Sequence, residues 1–315
     1  MLDLVIIGGA AAGCSAAIYA ARRELNFRII TENTGGEVAL SGTVNNWPGI
    51  IDIEGFDLAQ KFAEHVKSYG VNIEEGYWVE EVRQEKNYQI VRAKKPGGEI
   101  EEIKAKAVII GTGIHPRHLE IPGEEKFLHR GITYCTVCDG PLFKNKVTVT
   151  VGAGNAALES ALMLANIAKP AYVITKFADS PETQGGFPKG EHILISKLKS
   201  HPNIKIIYGA KVKRIEGSGI VEKIIYEDAG GTEQELSTNG VMVHVGMVPN
   251  SGLVKNVEKN KQGEIKVDAK CRTNIPGVFA AGDVTDIPYK QIGISAGQGI
   301  TAALAAIEYI NRFEE

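Results

Sequence analysis

The sequence predicts an α/β fold with two doubly wound, Rossmann-like dinucleotide-binding units, each accompanied by a β-meander. The first observation is an internal echo, because a buried strand, a glycine turn and a small-residue helix occur near residue 8 and again near residue 152. The second is length, since 315 residues exceed what one hydrophobic core usually serves. The third is an excess of glycine, with 36 residues, which indicates tight turns and close approach of the backbone to a ligand.

The first half of the chain begins with the elements of a dinucleotide-binding unit. Residues 4–7 are an apolar strand that leads into glycines and then into an alanine-rich helix to about residue 23. A second strand is predicted at residues 27–32. Residues 78–110 are predicted as a polar β-meander that returns to a buried strand at 107–110.

The second half repeats this order and then adds a C-terminal strand and helix. The predicted elements are a strand at 147–151, a helix to about 168, a strand at 171–175, a meander at 205–245, a strand at 278–281 and a helix at 295–313.

Charge and hydropathy exclude several classes of protein. The chain has 35 basic and 38 acidic residues, a net charge of −3, so no basic field for nucleic acid is expected. An apolar fraction of 43% is too high for a disordered chain. The apolar stretch at residues 4–21 is interrupted by three glycines, and the start lacks the basic region of a signal peptide. We therefore expect a soluble cytoplasmic protein that binds neither nucleic acid nor membrane.

The first glycine motif is Gly8-x-Ala10-x-x-Gly13, which departs from G-x-G-x-x-G at its second glycine. Glu32 near the end of the next strand strengthens the match, because a carboxylate there accepts hydrogen bonds from ribose hydroxyls. The alternative is an ordinary strand–helix turn of an α/β fold. The strand, helix and acid together favour a dinucleotide site.

The second motif, Gly152-x-Gly154-x-x-Ala157, fits the dinucleotide pattern, with Asn155 and Ala156 opening the helix. The next strand ends without an acid for a ribose hydroxyl and without an arginine for a 2′-phosphate. At that strand end Lys176 is the candidate cation. The motif predicts a nucleotide-like ligand and leaves its identity open.

Cys135-x-x-Cys138-Asp139 is the sharpest local feature. Cysteines at this spacing can close a small disulfide, and a thiolate that attacks a substrate disulfide needs a partner thiol to resolve the mixed disulfide. Asp139 is a candidate for the accompanying proton transfer. Zinc is disfavoured because no second cysteine pair follows, and two structural cysteines are the remaining alternative.

The remaining residues give weaker signals. Gly282-Asp283 follows a predicted strand and places a carboxylate where α/β proteins bind ligands, although a solvated turn aspartate would give the same pattern. Cys14 and Cys271 have no neighbouring cysteine and are expected to be buried. The seven histidines show no ligand spacing, so no metal site is expected.

Taken together, these residues resemble the low-molecular-weight thioredoxin reductase family of FAD-dependent disulfide oxidoreductases. The likeness covers essentially the whole chain. Besides the two glycine motifs and the mid-chain dithiol, it is carried by residues 45–49, 111–113, 248–250, 273–284 and 291–292. The glutathione-reductase type is disfavoured because its dithiol lies near the N-terminus.

The resemblance implies one domain inserted in the other. Residues 1–114 and 245–315 would form the FAD-binding domain, and residues 115–244 a nucleotide-binding domain that carries the dithiol. It further implies a set of residues that bind FAD, namely Gly8, Gly13, Glu32, Asn46, Thr112, Gly282, Asp283, Gln291 and Ile292.

The resemblance also implies roles and partners. Cys138 would exchange electrons with the flavin, Cys135 would attack the substrate disulfide, and Asp139 would be the acid–base group. The protein would be a homodimer that reduces a thioredoxin-like protein. A glutaredoxin-like or peroxidase partner remains open, as does a redox sensor whose dithiol only reports oxidation.

The electron donor is where the sequence departs from the family. Members that use NADPH carry a His-Arg-Arg…Arg run where this chain has Thr175-Lys176-Phe177, and all three arginines are missing. NADH, NADPH, ferredoxin and another donor therefore all remain open. Glu37 stands where the family usually has glutamine, and Lys290 where it has arginine.

Overall fold

The structure is a computed structural model that describes residues 1–314 and divides into two compact units. Unit 1 comprises Met1–His115 together with the chain from Val248, and unit 2 comprises Pro116–Met247. The chain passes between units after residues 115 and 247, against 114 and 244 in the sequence analysis. Elements are numbered along the chain, and each unit is described by itself.

Unit 1 contains a large sheet, two long helices and a long C-terminal helix. Its elements are β1 (Leu2–Gly9), α1 (Ala11–Ala21), β2 (Phe27–Thr34), α2 (Gly36–Ala39), β3 (Thr43–Val44), β4 (Ile53–Glu54), α3 (Gly55–Ser68), β5 (Ile73–Glu74), β6 (Trp78–Glu85), β7 (Tyr88–Lys94), β8 (Ile100–Ile110), β19 (Val278–Ala280) and α8 (Ile292–Ile310). Two short strands lie where the chain passes between units, β9 (Ile114–Pro116) and β18 (Met247–Pro249).

The sheet of unit 1 has parallel and antiparallel parts. Strands β5, β2, β1 and β8 follow one another in parallel, and β19 pairs in parallel with the end of β8. The first half of β8 pairs in antiparallel fashion with β7, which pairs with β6. Along β1, Leu4 and Ile6 join one apolar cluster and Val5 and Ile7 join another, so apolar layers cover both faces of this strand.

Small residues allow helices α1 and α8 to cross closely. A Cβ atom added at Gly299 of α8 would lie 2.1 Å from the carbonyl oxygen of Ala12 in α1. Ala302, Ala303 and Ala306 of α8 are buried in the same apolar cluster. The small-residue pattern of both helices therefore serves backbone contact.

Unit 2 is a second doubly wound unit with a three-stranded meander. Its elements are α4 (Glu124–Phe127), β10 (Ile132–Thr133), α5 (Thr136–Asp139), a 3₁₀ turn (Gly140–Phe143), β11 (Thr148–Gly152), α6 (Asn155–Ala165), β12 (Ala171–Ile174), a 3₁₀ turn (Pro181–Thr183), α7 (His192–Ser200), β13 (Ile204–Ile207), β14 (Lys211–Glu216), β15 (Lys223–Glu227), β16 (Glu233–Ser237) and β17 (Gly240–His244). The parallel sheet has the order β10-β17-β11-β12-β13, and β14, β15 and β16 form the antiparallel meander.

The predicted α/β class with Rossmann-like parallel sheets is confirmed. One strand has a different pairing from the predicted one, two helices were not predicted, and one helix has shifted bounds. Residues 204–207 form a parallel strand of the main sheet and do not belong to the meander. Helices α3 and α7 were not predicted. The C-terminal helix spans Ile292–Ile310, so it begins three residues before the predicted start and ends three before the predicted end.

Candidate functional site

The turn between β1 and α1 in unit 1 tolerates only glycine at two positions. Gly8 has φ +114°, and a Cβ atom there would lie 2.3 Å from the carbonyl oxygen of Gly111. A Cβ atom at Gly13 would lie 1.8 Å from the carbonyl oxygen of Gly8. Helix α1 starts after Ala10 without a side-chain cap and without an acid in its first turn. Its first N–H groups therefore have no side-chain acceptor within α1's cap and are candidates to donate to an anion.

Parallel pairing brings the polar residues that follow or end three strands of unit 1 to one sheet edge. Glu32 lies exposed near the end of β2. Thr112 follows β8 and donates its hydroxyl to the carbonyl of Asn250, at 2.7 Å. Asp283 follows β19 and accepts a hydrogen bond from the hydroxyl of Ser295, at 2.8 Å. These three sequence-predicted residues lie at the carboxyl edge of the sheet.

The start of α8 holds the remaining candidate residues of unit 1. The side-chain amide of Asn46 donates to Gln291 Oε1 at 3.2 Å, and Gln291 is the N-cap residue of α8. The helix begins with Ile292 and has no acid in its first turn. The backbone N–H of Gly282 donates to Gln298 Oε1 at 2.8 Å, which ties the turn after β19 to α8. Gln298 was not among the predicted residues.

The carboxyl group of Glu37 in α2 interacts electrostatically with Asp283, which follows β19. Burial raises the pKa of the Glu37 carboxyl group, and the charge of Asp283 raises it further, whereas His115 acts in the opposite direction. Two carboxyl groups, those of Glu37 and Asp283, therefore influence each other in unit 1. The sequence marked Glu37 as a departure from the family and did not connect it with Asp283.

Cys135 and Cys138 form a disulfide across the first turn of α5 in unit 2. Cys135 is the N-cap residue, and its sulfur accepts a hydrogen bond from the backbone N–H of Cys138 at 3.2 Å. The hydroxyl of Thr133 accepts from the N–H of Cys135 at 3.0 Å. Cys138 is exposed, Cys135 is half-buried, and Asp139 ends the helix. Cys138 therefore lies at the surface of unit 2, and the sulfur of Cys135 lies at a helix N-terminus.

A buried hydroxyl cluster lies behind the disulfide. The hydroxyl of Thr136 is 2.6 Å from that of Ser160 in α6 and 2.9 Å from Nε2 of His244 in β17. Burial lowers the pKa of His244 to about 4. Sequence reasoning missed this cluster, because its members lie 24 and 108 residues from Thr136 and share no local pattern.

The second glycine turn lies in unit 2 between β11 and α6. A Cβ atom at Gly154 would meet nothing within 4 Å, and α6 has neither a side-chain cap nor an acid in its first turn. However, Asn155 is already engaged: its Nδ2 donates to Glu191 Oε1, and its Oδ1 accepts from the N–H of Glu191, both at 2.8 Å. Ala156 is exposed.

The lysine predicted for this site is exposed, and the backbone of a second lysine lies beside the turn. Lys176 has its ammonium group 5.4 Å from the ring centroid of Phe177. The preceding Thr175 is buried and donates its hydroxyl to the carbonyl of Gly186 at 2.7 Å. Lys189 forms a parallel β-bridge with Gly154, so its backbone runs beside the turn. No local motif marked Lys189.

The other candidate groups are simple. Cys14 and Cys271 are buried, as predicted, and burial raises the pKa of their thiols to about 12 and about 11. Within residues 1–314 no cluster of three or more His, Cys, Asp or Glu side chains could hold a metal ion. No helix in that range combines the length and the apolar character that crossing a membrane requires.

Comparison with known proteins places the chain in a family. Residues 2–308 match the family described as pyridine nucleotide-disulphide oxidoreductase. A component of the alkyl hydroperoxide reductase of Pseudomonas putida is 39% identical over 315 residues, which cover 98% of this chain and 58% of that protein. The NADH dehydrogenase of Bacillus subtilis is 37% identical over 312 residues, which cover 98% of this chain and 59% of that protein. The chain thus spans less than two thirds of the length of these two curated relatives.

Two solved structures are similar over nearly their whole length. Thioredoxin reductase of Lactococcus lactis has a TM-score of 0.86 and 29% identity, covering 99% of this chain and 100% of that one. Thioredoxin reductase of T. acidophilum has a TM-score of 0.82 and 34% identity, covering 98% of each chain. The chain therefore belongs to the pyridine nucleotide-disulphide oxidoreductase family, and within it to the low-molecular-weight thioredoxin reductases.

Proposed function

We propose that this protein is a flavin- and dithiol-dependent reductase of protein disulfides, with a thioredoxin-like protein as its substrate. The observation that carries the proposal is the Cys135–Cys138 disulfide, in which Cys138 is an exposed residue and the sulfur of Cys135 caps a helix. A thiolate at a helix N-terminus is stabilised by the helix dipole and by the N–H group it accepts from. Such a thiolate is suited to disulfide exchange at neutral pH.

In this proposal unit 1 binds FAD, and its residues fit that cofactor. Two helices, α1 and α8, begin without a side-chain cap or an acid, which suits the pyrophosphate. Exposed Glu32 would accept hydrogen bonds from the ribose hydroxyls, and Asn46, Thr112, Asp283 and Gln291 would line the rest of the cofactor. When bound, FAD supplies the two-electron redox chemistry that the side chains lack.

The dithiol residues have separate roles. With the pair reduced, the Cys135 thiolate attacks one sulfur of the substrate disulfide, which forms a mixed disulfide and releases a substrate thiolate. Cys138 then attacks Cys135 Sγ, restores the internal disulfide and releases the second substrate thiolate. Asp139, one residue on, gives or removes the proton of these thiols. Exposed Val137 and Leu142 add apolar surface beside Cys138 for a protein partner.

The electron donor is proposed to be a nicotinamide nucleotide bound at the turn that contains Gly152 and Gly154. The open space at Gly154 and the uncapped start of α6 support a pyrophosphate there. Ferredoxin is the second candidate donor, favoured by the fact that Lys176 and Phe177 stand where members that use NADPH have arginines. A glutaredoxin-like protein is the alternative substrate. The proposal also includes assembly of the protein as a homodimer.

Anaerobic mixing tests the proposal. The purified protein is mixed separately with NADPH and NADH, the visible flavin band is followed, and a thioredoxin is then added. Bleaching by one nucleotide, followed by multiple turnovers with thioredoxin, is the expected result. A flavin that only dithionite or reduced ferredoxin bleaches would replace the nucleotide by ferredoxin as donor.

The alternative of a redox sensor is separated by the same assay. A sensor would give one stoichiometric reduction of its disulfide and no turnover with any thioredoxin, glutaredoxin or peroxidase partner. A Cys135→Ser, Cys138→Ser double variant is the control, because it keeps the flavin site of unit 1 and removes the dithiol. Turnover by that control would contradict the proposed route of electrons.

A further inference from the structure

A chain of four polar side chains runs through the interior of unit 2 behind the dithiol. The hydroxyl of Thr150 in β11 is 3.4 Å from that of Ser160 in α6, which is 2.6 Å from the hydroxyl of Thr136. Thr136 is 2.9 Å from Nε2 of His244 in β17. Thr150, Ser160 and Thr136 are at most 5% exposed. Each of the three hydroxyl groups therefore lies within hydrogen-bond distance of another of these four side chains.

The hydrogen count gives this chain a direction. Each hydroxyl group has one hydrogen to donate, so a chain of three hydroxyls needs an acceptor at one end. His244 supplies that acceptor when its Nε2 is unprotonated, and the order Thr150, Ser160, Thr136, His244 then uses every hydroxyl hydrogen. A neutral imidazole is also what burial favours at this position.

Thr136 is the member of the chain that lies in the dithiol helix. It is the first residue of α5, between the N-cap residue Cys135 and Cys138. On the other side of Cys135, the hydroxyl of Thr133 accepts from the backbone N–H of Cys135 at 3.0 Å and donates to its carbonyl at 3.3 Å. The residue that carries the attacking sulfur is thus held from both neighbouring sides.

The closed disulfide itself restrains α5, but reduction removes that restraint. A four-residue helix has little stability of its own, because nucleating a helix is unfavourable and its first turn gains few hydrogen bonds. Side-chain hydrogen bonds to the rest of unit 2 then help to keep Thr136 at the first helical position. In that position the N–H of Cys138 donates to the sulfur of Cys135.

We propose that Thr136, held by His244 and Ser160, is a positioning residue that keeps Cys135 at the N-cap of α5 after the disulfide is reduced and thereby stabilises its thiolate. The inference rests on the proposed dithiol chemistry and adds a determinant of its nucleophile. The ionisable groups on α5 and on the elements packed against it are Asp139 and, after reduction, Cys138 of α5, Glu159 of α6 and His244 of β17. A Thr136→Val substitution leaves all four in place.

The test measures the ionisation of Cys135 directly. In a Cys138→Ser background the full-length, flavin-containing protein is reduced, and alkylation of Cys135 by iodoacetamide is followed against pH by mass spectrometry. Cys14 and Cys271 interfere little, because both are buried with strongly raised thiol pKa values. Thr136→Val should raise the pH midpoint of alkylation, so that the thiolate population at pH 7 falls roughly fivefold, the scale of one lost helix cap.

Four further variants make the result specific. Thr136→Ser keeps the hydroxyl and should retain the parent profile, whereas His244→Leu should reproduce the effect of Thr136→Val even if the latter folds poorly. The Thr136→Val, His244→Leu double variant should show little further shift of the pH midpoint, because both substitutions remove the same hydrogen bond, the one between Thr136 and His244. Thr148→Val is the matched control, since Thr148 is a buried hydroxyl of β11 without a hydrogen-bond partner among the described residues.

The opposite results are equally clear. A folded Thr136→Val or His244→Leu protein whose midpoint equals that of the parent overturns the proposal. An equal shift in Thr148→Val would also overturn it, because the effect would then follow from any buried hydroxyl. Neither an electron donor nor a protein substrate takes part in the alkylation measurement. The midpoint of alkylation can therefore be interpreted even if the proposed reductase activity is not found.

Discussion

Protonation of His244 should make the protein markedly less stable in mild acid. Burial lowers the pKa of this histidine from its usual value of 6.5 to about 4 in the folded chain. Between these two values the unfolded chain binds the proton and the folded chain does not. Unfolding therefore takes up a proton, and the free energy of unfolding falls as the pH falls from about 7 toward 4.

The size of the effect follows from the two pKa values. Because each pH unit of difference corresponds to about 1.4 kcal/mol, the whole shift is worth roughly 3 kcal/mol. Between pH 7.5 and pH 5, which avoids titrating most carboxyl groups, about 2 kcal/mol of it should be lost. That is a large share of the stability of an ordinary domain.

Urea unfolding of the wild type and of His244→Gln at both pH values tests this number. Both tryptophans, Trp47 and Trp78, lie in unit 1, so their fluorescence follows unit 1 while far-ultraviolet circular dichroism follows both units. Glu37 and Glu159, whose pKa values burial raises, are present in both proteins and cancel in the comparison. His244→Gln should lose about 2 kcal/mol less than the wild type on acidification. Equal losses in the two proteins would refute the reasoning.

Three further predictions concern the proposed sites. Cys135→Ser should retain flavin reduction but lose turnover with a protein disulfide, since it removes the attacking sulfur. Gly13→Val should lower the flavin-to-protein absorbance ratio toward zero, because its Cβ atom would lie 1.8 Å from the carbonyl oxygen of Gly8. Lys176→Arg combined with Phe177→Arg should lower the dissociation constant for NADPH about tenfold, measured by calorimetry, because neither position is buried and arginine pairs recognise a 2′-phosphate.

Each of these has a matched control. Turnover retained by Cys135→Ser would assign the attack to the other sulfur. Gly154→Ala adds a methyl group where nothing lies within 4 Å, so its flavin content should equal that of the wild type, and full flavin content in Gly13→Val would contradict the assignment of the first turn. The arginine pair should leave NADH affinity unchanged, because NADH lacks the 2′-phosphate, and no gain for NADPH would argue against a nucleotide pocket.

Local pattern predicted the strands and helices that a single periodicity describes. The buried strand of residues 4–7 and the small-residue helix after it appear as β1 and α1, because their apolar and glycine patterns have one interpretation. Helix α3 was not predicted although its sequence has helical periodicity, since Leu58, Ala59, Ala63 and Val66 form one buried face. Strand β13 was assigned to the meander because parallel and antiparallel pairing look alike in a short apolar stretch.

The candidate site divides in the same way. The spacing of Cys135 and Cys138 predicts that they can form a disulfide, and they form one in the structure. The partners of Thr136 could not be predicted, because a hydroxyl bonded to Ser160 and His244 depends on how β17 and α6 pack on α5. Polar residues in apolar strands look like irregularities in a single sequence. Their role becomes visible only when hydrogen bonds can be counted.

The two glycine turns show where motif and chemistry separate. Both lead from a buried strand into a helix without a side-chain cap, and by sequence the second fits the dinucleotide pattern better. In unit 2, however, the carboxylate of Glu191 is hydrogen-bonded to Asn155, the first residue of α6, so a negative charge already lies near the helix start. The first turn of α1 has no acid. Because a carboxylate near the start of a helix repels a further anion, we expect the turn of unit 1 to be the stronger candidate site for a pyrophosphate. Under the proposed function, this charge distribution favours tight binding of the flavin by unit 1 and weaker binding of a nucleotide donor by unit 2.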